Sequence, residues 1–279
     1  MNLMQEPEQR PVDMYGEHGQ FVYHYTTSNA AFEHILPSGQ LRMNSLRRLR
    51  DPVENKDWVQ GLFTSVSWRP EDVDRFRAAT DRVLDDTEIV SFTLDAPVVG
   101  GSPEYSRGWA RPRMWEQYAE DHAGTCLMFD RKRLDDWLQV GLPERKLTVA
   151  DEVVYSNSPL PGHEEARTLH AVSLIAAGDK DLEVGLKKHI ERHAKELYFR
   201  KLEDWSTERE YRYVVFDKHR TETLVLYGNA LHAVIVGERF PNWQISGAAE
   251  VCSKAGAKLL QIQWGAFPPK LVDLTASEP

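Results

Sequence analysis

Strand-like runs crowd both ends of this chain, and a mostly helical stretch from about Glu164 to Glu203 separates them. Runs rich in β-branched and aromatic residues read as strands. Phe21–Thr26 is the plainest, followed by Leu41–Asn44, Ile89–Leu94, Thr125–Asp130 and Glu152–Tyr155. Later strands fall at Glu210–Phe216, Thr223–Leu226, Ala233–Gly237 and Leu259–Trp264. Helical periodicity marks Glu71–Leu84, Arg111–Glu120, Arg131–Leu138, Glu164–Ala176, Leu182–Leu202 and Trp243–Ala255. Ser28 is the expected N-cap of a short helix through Leu36, which Pro37-Ser38-Gly39 closes. The order is not a repeated βαβα alternation. It predicts an α+β fold, a mixed and largely antiparallel sheet with flanking helices. Residues 1–20 read as a flexible tail, and 21–279 as a single domain with a helical insertion at about 160–204.

The 279 residues suffice for a large core, and 41% hydrophobic with 28% charged residues is ordinary for a folded protein. No run approaches the roughly 18 apolar residues of a membrane span, and the polar stretch Met1–Arg10 does not resemble a secretory signal. A cytoplasmic protein with no membrane partner is the expectation. Cys126 and Cys252 are read as small buried apolar residues, and with no paired CxxC a thiolate zinc site is excluded. The net charge of −9 argues against a general nucleic-acid coat. Basic residues do cluster at Arg42, Arg47, Arg48 and Arg50, and again at Arg107, Arg111 and Arg113. They are either solvated surface or a phosphate-binding patch, since arginine forks suit phosphate oxygens.

Alternation along the first strand puts Val22, His24 and Thr26 on one face and Tyr23 and Tyr25 on the other. His24 and Thr26 can therefore aim two hydrogen-bonding groups at one place. The competing reading is a core histidine satisfied by a backbone carbonyl. In the late strand, Glu210, Arg212, Val214 and Phe216 share a face, either at the edge of a cleft or as an ion pair running into the core. Trp115 and Tyr118 lie three apart on a helix, on the face of Ala119 and His122. They are core packing or an aromatic wall for a flat ring. His189 and His193 stand at i and i+4 among Lys187, Lys188, Arg192 and Lys195, which would repel a cation, so no metal site is expected.

Two resemblances attach to these residues. His24-Tyr25-Thr26, a short helix, Ser38-Gly39-Gln40-Leu41 and a second strand resemble the opening motif of the ADP-ribosyltransferase superfamily, in the branch that begins with histidine. That superfamily includes DNA-modifying toxins and RNA 2′-phosphotransferases, so a toxin or defence effector is among the implied classes. The resemblance implies a split sheet and NAD as substrate. It casts Glu210 (with Glu208 in a Glu-x-Glu pair) and His24 as catalytic, and Tyr25, Thr26, Arg42, Trp115, Tyr118 and Arg212 as binding residues. An acceptor protein or nucleic acid would receive the ADP-ribose.

A longer ordered set comprises Tyr23–Thr26, Leu41-Arg42, Asp51–Glu54, Met114–Ala119, His122 with Gly124, and Glu208–Arg212, with Lys201 and Trp205 ahead of the last segment. It resembles a bacterial family known as domain of unknown function 2971, which brings no activity with it. Two further classes stay open: a non-catalytic nucleotide- or nucleic-acid-binding sensor in which His24, Arg212 and Trp115 line a groove, and a metal-independent nuclease built on His24, His122 and Glu210.

Overall fold

The aromatic and β-branched run Phe21–Thr26 forms β1 with apolar side chains buried on both faces, so it lies inside a sheet rather than at its edge. The computed structural model describes residues 17–46, 54, 70–98, 101–141, 148–162, 166, 179–216, 223–265 and 267–275. After β1 come β2 (Gln40–Arg42), β3 (Asn44–Ser45), β4 (Glu88–Leu94), β5 (Thr125–Asp130), β6 (Thr148–Glu152) and β7 (Val154–Tyr155). The later strands are β8 (Arg200–Lys201), β9 (Glu210–Val215), β10 (Leu224–Leu226), β11 (Leu231–Val236), β12 (Lys258–Gln263) and β13 (Lys270–Asp273). The principal sheet runs β13-β12-β11-β5-β1-β4-β9-β6, with β3 also on β4. Its pairs are antiparallel apart from β11–β12, which are parallel. A parallel pair needs a crossover, and the helix Ile245–Lys254 supplies it. The α+β class and the mostly antiparallel sheet are as the sequence order predicts.

The helices are α1 (Leu36–Ser38), entered through a π-helical turn Ala30–Ile35, then α2 (Pro70–Asp85), α3 (Pro112–Tyr118), α4 (Arg131–Gly141), α5 (Asp179–Arg192), α6 (Ala194–Tyr198) and α7 (Ile245–Lys254). One face of the sheet carries a continuous core in which Val22, Phe92, Leu127, Phe129, Tyr213 and Val234 meet Leu134 and Leu138 of α4 and Ala248 and Cys252 of α7. The opposite face carries two separate cores. Tyr23, Trp109, Trp115, Ile235 and Leu260 belong to one, and Ile89, Val214, Phe216, Phe76 and Tyr198 to the other.

One gap in the ladder matters most. β1 pairs β4 only at Val22 with Leu94 and Tyr23 with Thr93, whereas its ladder with β5 continues to Thr26 with Thr125. Farther along the same edge of β4, β3 takes Ile89 and Glu88. On this edge of β4, Val90, Ser91 and Phe92 therefore pair with neither β1 nor β3. The loop after α3 packs against the end of β1. Glu120, Asp121 and His122 all have positive φ, a conformation non-glycine residues adopt rarely and only when surroundings dictate it. Here the His122 amide bonds Trp115 O, and the Glu120 carboxylate accepts the Ser28 amide at 2.8 Å. Gly124 lets this loop press on β1: a Cβ there would lie 2.7 Å from Thr26 O.

Several local expectations change. The helix expected over Leu182–Leu202 breaks at His193 and ends at Tyr198, because Arg200–Lys201 pair with β7 as a strand. Glu152–Tyr155 divides into β6 and β7, and β13 has no counterpart among the strands read from sequence. Ser28 does not cap its helix: Thr27 Oγ1 accepts the Ala30 amide, while Ser28 Oγ donates to Ala123 O. The expected tail lies outside the described residues up to residue 16, as do Arg47, Arg48, Arg50 and, apart from Ala166, the helix Glu164–Ala176. Among the described residues no helix is long and apolar enough to cross a membrane.

Candidate functional site

The opening between β1 and β4 is a cavity of about 380 Å³. Its β1 wall is His24, Tyr25, Thr26 and Thr27, and its β4 wall runs from Ile89 to Thr93. Met114 and Tyr118 of α3 close a third side, and Glu54, Lys201, Trp205, Glu208 and Glu210 fill the fourth. Cavities of this size are typical of small-molecule sites.

His24 spans the gap in the sheet. Its Nδ1 lies 3.0 Å from Ser91 O. A carbonyl can only accept, so Nδ1 carries the proton and Nε2 is the acceptor nitrogen. Burial lowers the pKa of the ring, outweighing the bond to Ser91, so the neutral tautomer is favoured. A backbone carbonyl satisfies one nitrogen of His24, as in the core-histidine reading, and the residue also lines the cavity.

Opposite His24, five charged side chains converge, four from residues 201–212 and Glu54 from much earlier in the chain. Arg212 Nε and Nη2 donate to the two carboxylate oxygens of Glu210 at 2.6 and 2.8 Å. Arg212 Nη1 donates to Tyr198 O at 2.6 Å and pairs with Glu54. Lys201 Nζ bonds Glu208 at 2.7 Å and lies 2.9 Å from Glu210 and 3.8 Å from Glu54. Tyr118 donates its hydroxyl to Glu208 at 2.7 Å. The Glu210 amide donates to Tyr155 Oη at 2.8 Å, and Lys201 sits 5.4 Å from the ring centre of Trp205. All five charged groups are at most 8% exposed.

Three carboxylates face two cations, and the imbalance separates the acids. Burial alone would raise the pKa of Glu210, but Arg212 and then Lys201 overcome it and bring the carboxyl to about 2. Glu54 moves the other way: its burial outweighs Arg212 and Lys201, and the nearby Glu210 charge adds to the rise. Two carboxyls in one cavity with pKa values driven apart are the usual basis for dividing ionised and proton-carrying roles.

His24, Tyr25, Thr26, Tyr118 and Glu210 thus meet in one cavity, as the shared-site reading requires. Three expected binding residues do not join them. Trp115 is fully buried, donates Nε1–H to Trp109 O at 2.8 Å and meets Tyr25 edge-on, so it is core rather than a ligand wall. Arg212 is also fully buried and spends its donors on Glu210, Glu54 and Tyr198, so it cannot face a pyrophosphate. Arg42 is exposed at the end of β2, away from the cavity lining. His122 stacks on Trp115 and is not part of the lining, which removes it from the proposed nuclease trio. Glu54 and Lys201, quoted above only as parts of a spaced family pattern, are the functional candidates that residue-by-residue reading passed over. Their signal was their charge at fixed places in that pattern. No group of three metal-ligating side chains occurs among the described residues.

The fold and the cavity define an α+β protein with a half-open sheet and a buried charge network at the gap. The family model described as "Protein of unknown function (DUF2971)" matches residues 114–213, and this span is similar to that family. The matched span holds Tyr118, Lys201, Glu208, Glu210 and Arg212, whereas His24 and Glu54 reach the cavity from outside it. No curated protein and no solved structure matches the chain.

Proposed function

We propose that this cavity receives the nicotinamide–ribose end of NAD and that the protein is an ADP-ribosyltransferase-like enzyme. The observation that carries the reading is the convergence of His24 and Glu210, 186 positions apart, on one gap in the sheet. In NAD the bond from ribose C1′ to the nicotinamide nitrogen breaks with its electron pair moving to the ring. The ring loses its positive charge and leaves neutral, so the departing group needs no proton. Charge develops on the ribose instead, and a fixed carboxylate stabilises that transition state more than the ground state. Glu210 suits this role because it stays ionised and is held rigidly by Arg212 and Lys201. His24 Nε2 can accept a ribose hydroxyl, Thr26 can bond the same sugar, and Tyr25 and Tyr118 flank the ring. The acceptor nucleophile bonds C1′ and releases a proton, for which Glu54 is the residue with the fitting raised pKa.

One observation favours a second reading, a binding module without turnover. Both oxygens of Glu210 are already engaged by cations. Those cations offset its pull on a developing ribose charge. NAD labelled separately in its nicotinamide and adenine halves distinguishes the two. Release of free nicotinamide by the wild-type protein, without added metal and unaffected by chelator, supports the enzyme. Stoichiometric binding with no release supports the module, and activity that the chelator abolishes overturns both.

A further inference from the structure

We propose that Arg111 and Arg209 form a binding site, beside the cavity, for a phosphate- or pyrophosphate-type oxyanion. The end of β4 brings the two together. The Leu94 amide donates to Arg209 O at 2.8 Å, and the Gly108 amide donates to Asp95 Oδ1 at 2.8 Å, which anchors the segment leading to Arg111. Each arginine is also a chain neighbour of the cavity. Arg209 lies between Glu208 and Glu210, and Arg111 precedes Met114 by one helical turn.

Arg111 Nε and Nη2 and Arg209 Nε are all buried, and none has a hydrogen-bond partner. Buried polar groups are nearly always bonded, and leaving a donor unmade is costly, more so for a charged one. The two cations also act on each other: burial first, and then the charge of Arg209 among other neighbours, lower the pKa of Arg111. The nearby carboxylate cannot resolve this, because Asp95 already accepts from Gly19, Arg107 and Gly108. The Arg111 edge and the neighbouring Arg209 Nε, all without acceptors, match a ligand with several oxygens and negative charge, which an arginine fork binds two atoms at a time. Arg212 does not share this state: it has acceptors on Nε, Nη1 and Nη2.

The anion site stands on its own donors, whereas a nucleotide as the anion's carrier rests on the function proposed above. Calorimetry on the full chain with inorganic pyrophosphate, and separately with ADP-ribose, tests both. The expected result is pyrophosphate binding that Arg111→Gln and Arg209→Gln each weaken at least ~10-fold, the loss expected when bonds to a charged group are removed. Arg113→Gln, an exposed change on the same helix, should leave the affinity within about twofold. In the absence of ligand, Arg111→Gln should melt no lower than wild type, because it deletes an uncompensated buried charge; a structural arginine would give a lower midpoint. Pyrophosphate binding without ADP-ribose binding keeps the anion site and overturns the nucleotide reading. Failure of wild type to bind pyrophosphate at millimolar concentration, or binding that both glutamine variants retain in full, overturns the anion site.

Discussion

The two faces of the central sheet are built on opposite rules. One face is mainly apolar: Val22, Leu127, Phe129 and Val234 merge with α4 and α7 into a single core. The other is apolar at two places and charged between them, where Glu54, Lys201, Glu208, Glu210 and Arg212 lie against the gap in the β1–β4 ladder. Apolar burial is non-directional and additive by area, so the first face can hold the sheet together without any particular partner geometry. A buried charge cluster is favourable only while every member keeps its partners, and apolar residues of similar volume often do better. Its presence between the two cores of one face marks the candidate site there.

The largest effect that separates the faces belongs to Phe129, which is fully buried in the continuous core and meets Phe92 and Tyr227 edge-on. Phe129→Ala should cost about 3–5 kcal/mol in denaturant unfolding, through lost transfer energy and a cavity. Ligand affinity per folded molecule should be unchanged; a loss of affinity would mean the faces are not independent.

Arg212→Leu should cost a similar ~3–5 kcal/mol at neutral pH, because it strands Glu210 and Glu54 without their main counter-charge. The distinguishing feature is pH dependence. Acidification protonates the stranded carboxyls, so the deficit relative to wild type should shrink as pH falls. A deficit that stays constant with pH would show Arg212 to be a space-filling residue.

In the wild type, Glu210 has a folded-state pKa depressed to about 2. Its contribution to stability should therefore be complete above the ordinary glutamate range and lost as pH falls from about 4.5 toward 2. Glu54 has the opposite sign: its pKa is raised by burial, so its ionisation should erode stability as pH rises through the folded value. Unfolding measured across pH 2–8 should show an acid limb that Glu210→Gln flattens and an upper limb that Glu54→Gln flattens.

The smallest effect is expected at Trp115. Trp115→Phe gives up the bond to Trp109 O and some packing, a loss of about 1–2 kcal/mol, with no change in ligand affinity. Weaker binding with stability intact would return Trp115 to the cavity wall.

Local chemistry made part of this legible in the sequence. β1 and β5 fall where their β-branched and aromatic runs place them, and alternation correctly puts Glu210 and Arg212 on one face of β9. The two-residue strand β8 is hidden because its partner β7 is distant in the chain and Arg200-Lys201 carry little strand preference, while the four-residue β13 is too short to stand out although it pairs the preceding strand β12. Helical spacing puts Trp115 and Tyr118 on one side of α3 but could not tell that Trp115 is buried in the core while Tyr118 reaches the cavity. Nor can a spacing rule show that residues 54, 201, 208, 210 and 212 meet. That convergence is set by tertiary structure, and so is the engagement of every donor of Arg212.

The most direct test of the central claim is melting temperature and nicotinamide release measured on one preparation of Glu210→Gln. The substitution keeps the shape and one acceptor oxygen while removing the charge. If Glu210 stabilises the developing ribose charge, turnover should fall by at least ~100-fold, while NAD binding changes much less. The melting midpoint should fall too, because Arg212 and Lys201 lose a counter-charge, but enough folded protein should remain to be assayed. A destabilised variant whose folded fraction still releases nicotinamide at the wild-type rate would contradict the account and leave Glu210 as a partner of Arg212 alone.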